Sequence, residues 1–175
     1  MAESFRLPQQ YDNPRAWCID GRLPPPEIWA IIATFYVRPL ESLAVAHGIA
    51  VVPSGGSCYR PVSWEHAKGR SGNSLHTFRA GTWGACDLVR ADGGDVAHLL
   101  DVIALEGPWR RVCWYPGVRD QRGPGGFRAR FIHVDFGDHD GQLCKRRELY
   151  ECRGPHQPWI FRSHLPEVKG LQLRK

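Results

Sequence analysis

Residues 128–136 read Arg128-Ala129-Arg130-Phe131-Ile132-His133-Val134-Asp135-Phe136, and the alternation in this stretch decides the fold. Successive side chains on a strand point to opposite faces. Phe131, His133 and Asp135 therefore share one face, and Ile132, Val134 and Phe136 share the other. Working outward, Gly84 to Val89 repeats the pattern, with Ala85 and Asp87 on one face and Cys86 and Leu88 on the other. Arg111–Tyr115 and Ile49–Val52 read as further strands. Pro24-Pro25-Pro26 leads into a helix from Glu27 to about His47, where Ile28, Ile31, Ile32 and Phe35 recur at helical spacing and Leu40, Leu43 and Ala44 continue it. Pro39 is expected to kink or split this helix, and Gly48 to stop it. Asp95 can cap a second helix to about Glu106, with Val96, Leu99, Leu100 and Ile103 facing inward. Residues 57–73 and 116–126 read as loops, and Lys145–Glu151 carries a weak helical signal. The expected class is α+β: a central antiparallel sheet with helices packed on one side.

The 175 residues suit one domain, with residues 1–140 as its body (irregular at the N-terminal end) and residues 141–175 as a basic C-terminal extension of it. A chain of this size buries roughly two-thirds of its unfolded surface, so the core needs no staple and a bound metal can serve chemistry. A net charge of +5 and a pI near 9.0 favour anionic partners such as wall polymer, nucleic acid or anionic lipid. No helix-turn-helix, OB-type or RNA-recognition signature accompanies the charge, which makes nucleic acid an unexpected partner. Lys145-Arg146-Arg147 and Arg174-Lys175 read as solvated basic clusters. The six cysteines form no CxxC pair, which argues against a cysteine zinc knuckle and for buried thiols in a reducing compartment. The first residues, MAESFRLPQQYDNPRAW, lack an apolar leader, and no run approaches the roughly 18 apolar residues of a span, so neither a signal peptide nor a membrane span is expected.

Metal-capable residues fall in three stretches on strands or strand edges: Ser74-Leu75-His76, Gly84-Ala85-Cys86-Asp87, and Phe131-Ile132-His133-Val134-Asp135. Two imidazoles and a carboxylate suit zinc and leave a fourth position for water, the catalytic rather than the closed structural arrangement. A single strand histidine is more often packed than ligating, so spacing alone leaves the metal open.

Further motifs stand in a recognisable order: SCYRP at 57–61, Asn73, SLH at 74–76, GACDLV at 84–89, WYP at 114–116 and FIHVDFG at 131–137. Over about residues 17–137 the chain resembles the D-alanyl-D-alanine carboxypeptidase-like zinc peptidases, relatives of the lysostaphin and hedgehog zinc domains, in the branch whose last motif is HVD followed by Gly. The resemblance implies Zn2+ held by His76, Asp87 and His133 on the sheet face. It implies that Arg60 binds the anionic group of the substrate and that Ser74 contacts it. Two departures stand out. Asp87 follows His76 by eleven residues, where the family pattern has seven, so residues 77–83 read as a lengthened loop. Position 130, where many relatives carry an acid, is Arg130, which accepts no proton. Asp135 becomes the candidate catalytic base, with a supporting carboxylate as its other reading, and Asp138, His139 and Asp140 stand close in sequence. Trp64, Trp83, Trp109 and Trp114 read as core or as groove-lining aromatics, and Glu65-His66 as neighbours of Arg60.

The function so implied is zinc-dependent hydrolysis of a peptide bond in peptidoglycan stem peptides, by a carboxypeptidase or an endopeptidase. The protein would be made in the cytoplasm and act on the cell wall or in the periplasm, or be carried in a phage particle as a lysin or virion component. A non-catalytic zinc module for wall binding or assembly on the same fold is the alternative. The cleaved bond and the oligomeric state are not legible.

Overall fold

The strands β1 (Val51–Pro53), β2 (Ala85–Arg90), β3 (Arg111–Tyr115), β4 (Phe131–Asp135), β5 (Arg147–Glu151) and β6 (Ile160–Leu165) form one sheet in the order β1-β2-β4-β3-β5-β6. This is the architecture of a computed structural model that describes residues 7–79, 82–116, 130–137, 144–152 and 158–168. Every described neighbour pair is antiparallel except β3 with β5, which is parallel. The sheet is therefore mixed, which corrects the expectation of an antiparallel one. The reason lies in the register. Asp135 at the end of β4 faces Arg111 at the start of β3, and β5 begins beside that same end, with Arg111 opposite Glu148. A strand launched from there runs in the direction of β3.

The weak helical signal at Lys145–Glu151 is overridden by this pairing, and residues 147–165 supply two strands. Arg147, expected on a solvated basic cluster, is 1% exposed. Its Nε donates to the Trp109 carbonyl at 3.0 Å and its Nη2 to the Ala104 and Gly107 carbonyls at 2.8 and 2.5 Å, while Nη1 reaches the Pro166 carbonyl. A guanidinium offers five donors and is weakly hydrated, so it can satisfy helix-end carbonyls without an acid beside it. One side chain thus ties the C-terminal hairpin to the end of the second helix.

The first helix runs without a break through α1 (Pro26–Ile32), a π turn (Ala33–Val37) and α2 (Arg38–His47). Pro39 does not split it. The widened turn just before Pro39 absorbs the missing N–H and the crowding of the carbonyl four residues back. Gly48 closes the helix at φ +65°, as expected. By length and composition Pro26–His47 could cross a membrane, which residue-by-residue apolar runs did not suggest. Its apolar stripe (Ile28, Ile32, Tyr36, Val37, Leu40, Leu43, Ala44) instead joins the same buried cluster as Cys86, Leu88, Val112, Ile132 and Val134 of the sheet. Residues 57–73, read as a loop, contain a short helix, α3 (Val62–Ala67), entered from Pro61. A 3-10 turn capped by Asp95, whose side chain accepts from the Ala97 N–H at 2.9 Å, leads into α4 (Leu100–Glu106).

The sheet residues of that cluster alternate with the polar ones. Asp87, His133 and Cys113 lie side by side in one row across β2, β4 and β3, and Ala85, Asp135 and Arg111 in the next.

Candidate metal centre

The pairing of β2 with β4 sets Asp87 directly opposite His133. Directly paired residues have Cβ atoms about 5 Å apart, and the side chains meet with His133 Nδ1 2.8 Å from Asp87 Oδ1. His76 arrives from outside the sheet, on a 3-10 turn at Leu75–Thr77 whose N–H the Ser74 hydroxyl accepts at 3.3 Å. The backbone carbonyl of His76 accepts from the Arg60 N–H at 2.8 Å, which ties this turn to the SCYRP segment. His76 Nδ1 lies 3.0 Å from the Cys58 carbonyl, which can only accept, so the proton sits on Nδ1. The Nε2 lone pair is left 3.4 Å from Asp87 Oδ1. One ligand atom from each of His76, Asp87 and His133 lies within 4.8 Å of the others, and all three residues are buried.

This donor set fits a divalent transition metal. One imidazole has its outer nitrogen bonded to a backbone carbonyl and the other to a carboxylate, the orienting partners that ligating histidines use. The lengthened 77–83 segment does not keep the ligands apart, because its ends are anchored. Phe78, at φ +49°, packs against Tyr36 and Tyr59, and Trp83 against Phe35 and Phe136, while the Tyr36 hydroxyl donates to the Trp83 carbonyl at 3.0 Å.

A second layer of polar groups surrounds the three. Asp87 Oδ2 accepts from the Ser57 hydroxyl at 2.8 Å and from Arg60 Nη2 at 2.6 Å. Arg60 also donates to Ser57 Oγ at 2.5 Å and stands 3.7 Å from the buried carboxylate of Glu65. Arg60, expected to receive the substrate's anionic group, is thus turned onto Asp87. On the other side, Asp135 Oδ2 accepts from His133 Nε2 and Arg111 Nη2, both at 3.0 Å. Asp135 Oδ1 accepts from Arg111 Nε at 2.7 Å and from the Gly137 N–H at 2.5 Å. Asp135 has no exposed surface.

Because Asp87 and Asp135 only accept, both ring nitrogens of His133 donate, and the ring is an imidazolium. Burial alone would lower its pKa, but the two carboxylates outweigh burial and push it up to about 9. His76 moves the other way: burial, only partly offset by Asp87, lowers it and keeps the ring neutral. Burial opposes ionisation of Asp87, yet the two histidines hold its pKa well below the usual range. Asp135 is likewise lowered, against burial, by His133 and Arg111.

His76 and His133 open onto a cleft of about 420 Å³, whose other walls are Asn73, Ser74, Leu75, Arg111, Pro158 and Trp159. Of the expected substrate contacts, Ser74 lines this cleft and Arg60 does not; Arg111 does. Asp135 is not among its walls; it is fully buried and bonded to Arg111, which is one of them. Arg130 points elsewhere, pairing with Asp95 at 2.7 Å. Asp138, His139 and Asp140 lie outside the described residues. Trp109 is core, Trp83 and Trp114 pack against the core, and Trp64 lies under Lys68 and Arg70. Sequence reasoning missed Ser57, Arg111 and Trp159. The signal for Ser57 was its place in SCYRP and for Arg111 its strand parity, but Trp159 comes from a segment whose strands were not recognised. Compared with protein-family models, curated proteins and solved structures, the chain matches none.

Proposed function

We propose that this protein is a zinc-dependent hydrolase of peptide bonds in peptidoglycan stem peptides. The convergence of His76, Asp87 and His133 beside an open cleft carries this reading; the motif order over residues 17–137 supplies the substrate class. In it, helices cover one face of the sheet and the metal site occupies the other. Bound zinc would supply Lewis acidity toward a scissile carbonyl and lower the pKa of a water. The chain's own residues do the rest. The Cys58 carbonyl fixes the His76 tautomer, so that Nε2 is the donor. Arg60 and Ser57 hold one oxygen of Asp87 and leave the other for the metal. Asp135 holds the His133 Nε2–H and thereby presents Nδ1. The Ser74 hydroxyl and Asn73 offer hydrogen bonds to a peptide in the cleft. Asp135, with four hydrogen bonds and no exposed surface, acts in this reading as a positioning residue rather than the base.

The second reading, a zinc-holding wall-binding or assembly module without turnover, rests on one observation. Among the described residues no carboxylate lines the cleft to accept a water's proton. Incubating zinc-loaded protein with purified peptidoglycan and analysing released fragments by mass spectrometry separates the two. New peptide termini that vanish in His76→Ala and after chelation support hydrolysis. Intact wall with zinc-dependent co-sedimentation supports the module, and neither result removes both.

A further inference from the structure

The Trp159 indole lines the cleft beside His133. Its ring meets that of His133 edge to face at 5.1 Å, and the Arg111 guanidinium lies 5.3 Å from its centroid. Its Nε1–H donates to the Tyr115 hydroxyl at 2.9 Å. The ring is thereby held in one orientation by β3, β4 and Tyr150 of β5, 5.7 Å away. It shares the cleft lining with Pro158 and the Asn73–His76 segment. Because the N–H is spent on Tyr115, the indole has no hydrogen bond left to offer a ligand. What remains is a rigid carbon surface, which gives dispersion and C–H contacts at little entropic loss. Arg111 beside it is held by Asp135 through Nε and Nη2.

Resting on the hydrolase reading above, we infer that the C-terminal hairpin forms one wall of the substrate cleft and that Trp159 is a specificity-determining platform for a C–H-rich group next to the scissile bond. Two parts of a wall fragment carry such a group, an aliphatic side chain of the stem peptide and a sugar ring attached to it.

The test measures binding of two soluble fragments to the zinc-loaded full-length protein by calorimetry: a stem peptide bearing its disaccharide, and the same peptide without sugar. Wild type, Trp159→Ala and Trp159→Phe are compared, with zinc content determined for each. Loss of an aromatic contact of about 1.4 kcal/mol is a tenfold loss of affinity. The expected result is about tenfold weaker binding by Trp159→Ala and near-wild-type binding by Trp159→Phe, with one zinc retained in all three. A loss confined to the disaccharide fragment assigns the platform to the sugar; a loss for both assigns it to the peptide. Equal affinity of Trp159→Ala and wild type for both fragments overturns the inference and leaves the hydrolase reading standing. Failure of wild type to bind or cleave either fragment overturns that reading, and the platform with it. Should Trp159→Ala lose zinc or fold, Trp159→Phe and Trp159→Leu decide: Phe must bind like wild type and Leu must not.

Discussion

Metal loading should release close to one proton per ion at neutral pH, and the source should be His133. In the metal-free protein both its nitrogens donate to carboxylates, and its pKa is pushed up to about 9. A metal that takes Nδ1 must displace that proton, while Nε2–H stays on Asp135. His76 contributes none, since its Nδ1–H remains on Cys58 and its pKa is lowered. Asp87 is already ionised. At pH 7, about two units below the His133 pKa, apparent affinity should be about a hundredfold weaker than its high-pH limit, and it should climb about tenfold per pH unit between roughly pH 6 and 8. Titration calorimetry with Zn2+ in buffers of different ionisation enthalpy reads the proton count directly. Asp135→Asn removes one of the two groups that raise His133, so fewer protons should be released at pH 7 and the pH dependence should flatten. An affinity that does not change between pH 6 and 8, or no proton release in wild type, would refute the claim that His133 is an imidazolium wedged between two acids.

The same groups set the pH dependence of the metal-free fold. His133, raised from 6.5 to about 9, contributes stability that is fully present below about pH 6.5 and lost as pH rises through 9, about 3 kcal/mol in all. Asp87 and Asp135, both lowered, contribute stability above their ordinary value of 3.8 and lose it as pH falls below it. His76, lowered by burial, adds the opposite slope, stability that is present above about pH 6.5 and lost as pH falls below it. Melting temperature of metal-free protein should therefore peak near pH 6.5 and fall on both sides, whereas in His133→Gln the fall from about pH 6.5 toward pH 9 should weaken. Arg147→Met strips four carbonyls of their charge-assisted donor and should lower unfolding free energy in urea by about 3–5 kcal/mol; a change under 1 kcal/mol would mean that the clamp is not structural. Gly84, at φ +75°, has Phe78 ring atoms 2.2 Å from where a Cβ would stand. Gly84→Ala should displace Phe78 and lower the melting temperature by several degrees, with zinc affinity reduced because the same segment delivers His76.

Much of this molecule was legible in one dimension because strand parity is local. Alternation alone assigned Asp87, His133 and Asp135 to a polar face, and the apolar spacing after Pro26 located the first helix. The resemblance nominated His76, which no periodicity marks, since it sits on a single 3-10 turn. What tertiary structure decided was register and partnership. That Asp87 stands opposite His133, and not one residue along, follows from the pairing of β2 with β4, and a slip of one residue would have moved Asp87 to the other face. The direction of β5 depended on where β4 ends. Arg60 and Asp135 were named for the substrate and the proton, yet hydrogen bonds across elements that are distant in sequence turn Arg60 onto Asp87 and Asp135 onto His133. Arg147 reads as a surface charge in any window of sequence, and only the carbonyls gathered around it make burial favourable. Composition and period describe what each segment can hide; which buried polar groups satisfy one another is a property of the closed structure, because their partners come from everywhere in the chain.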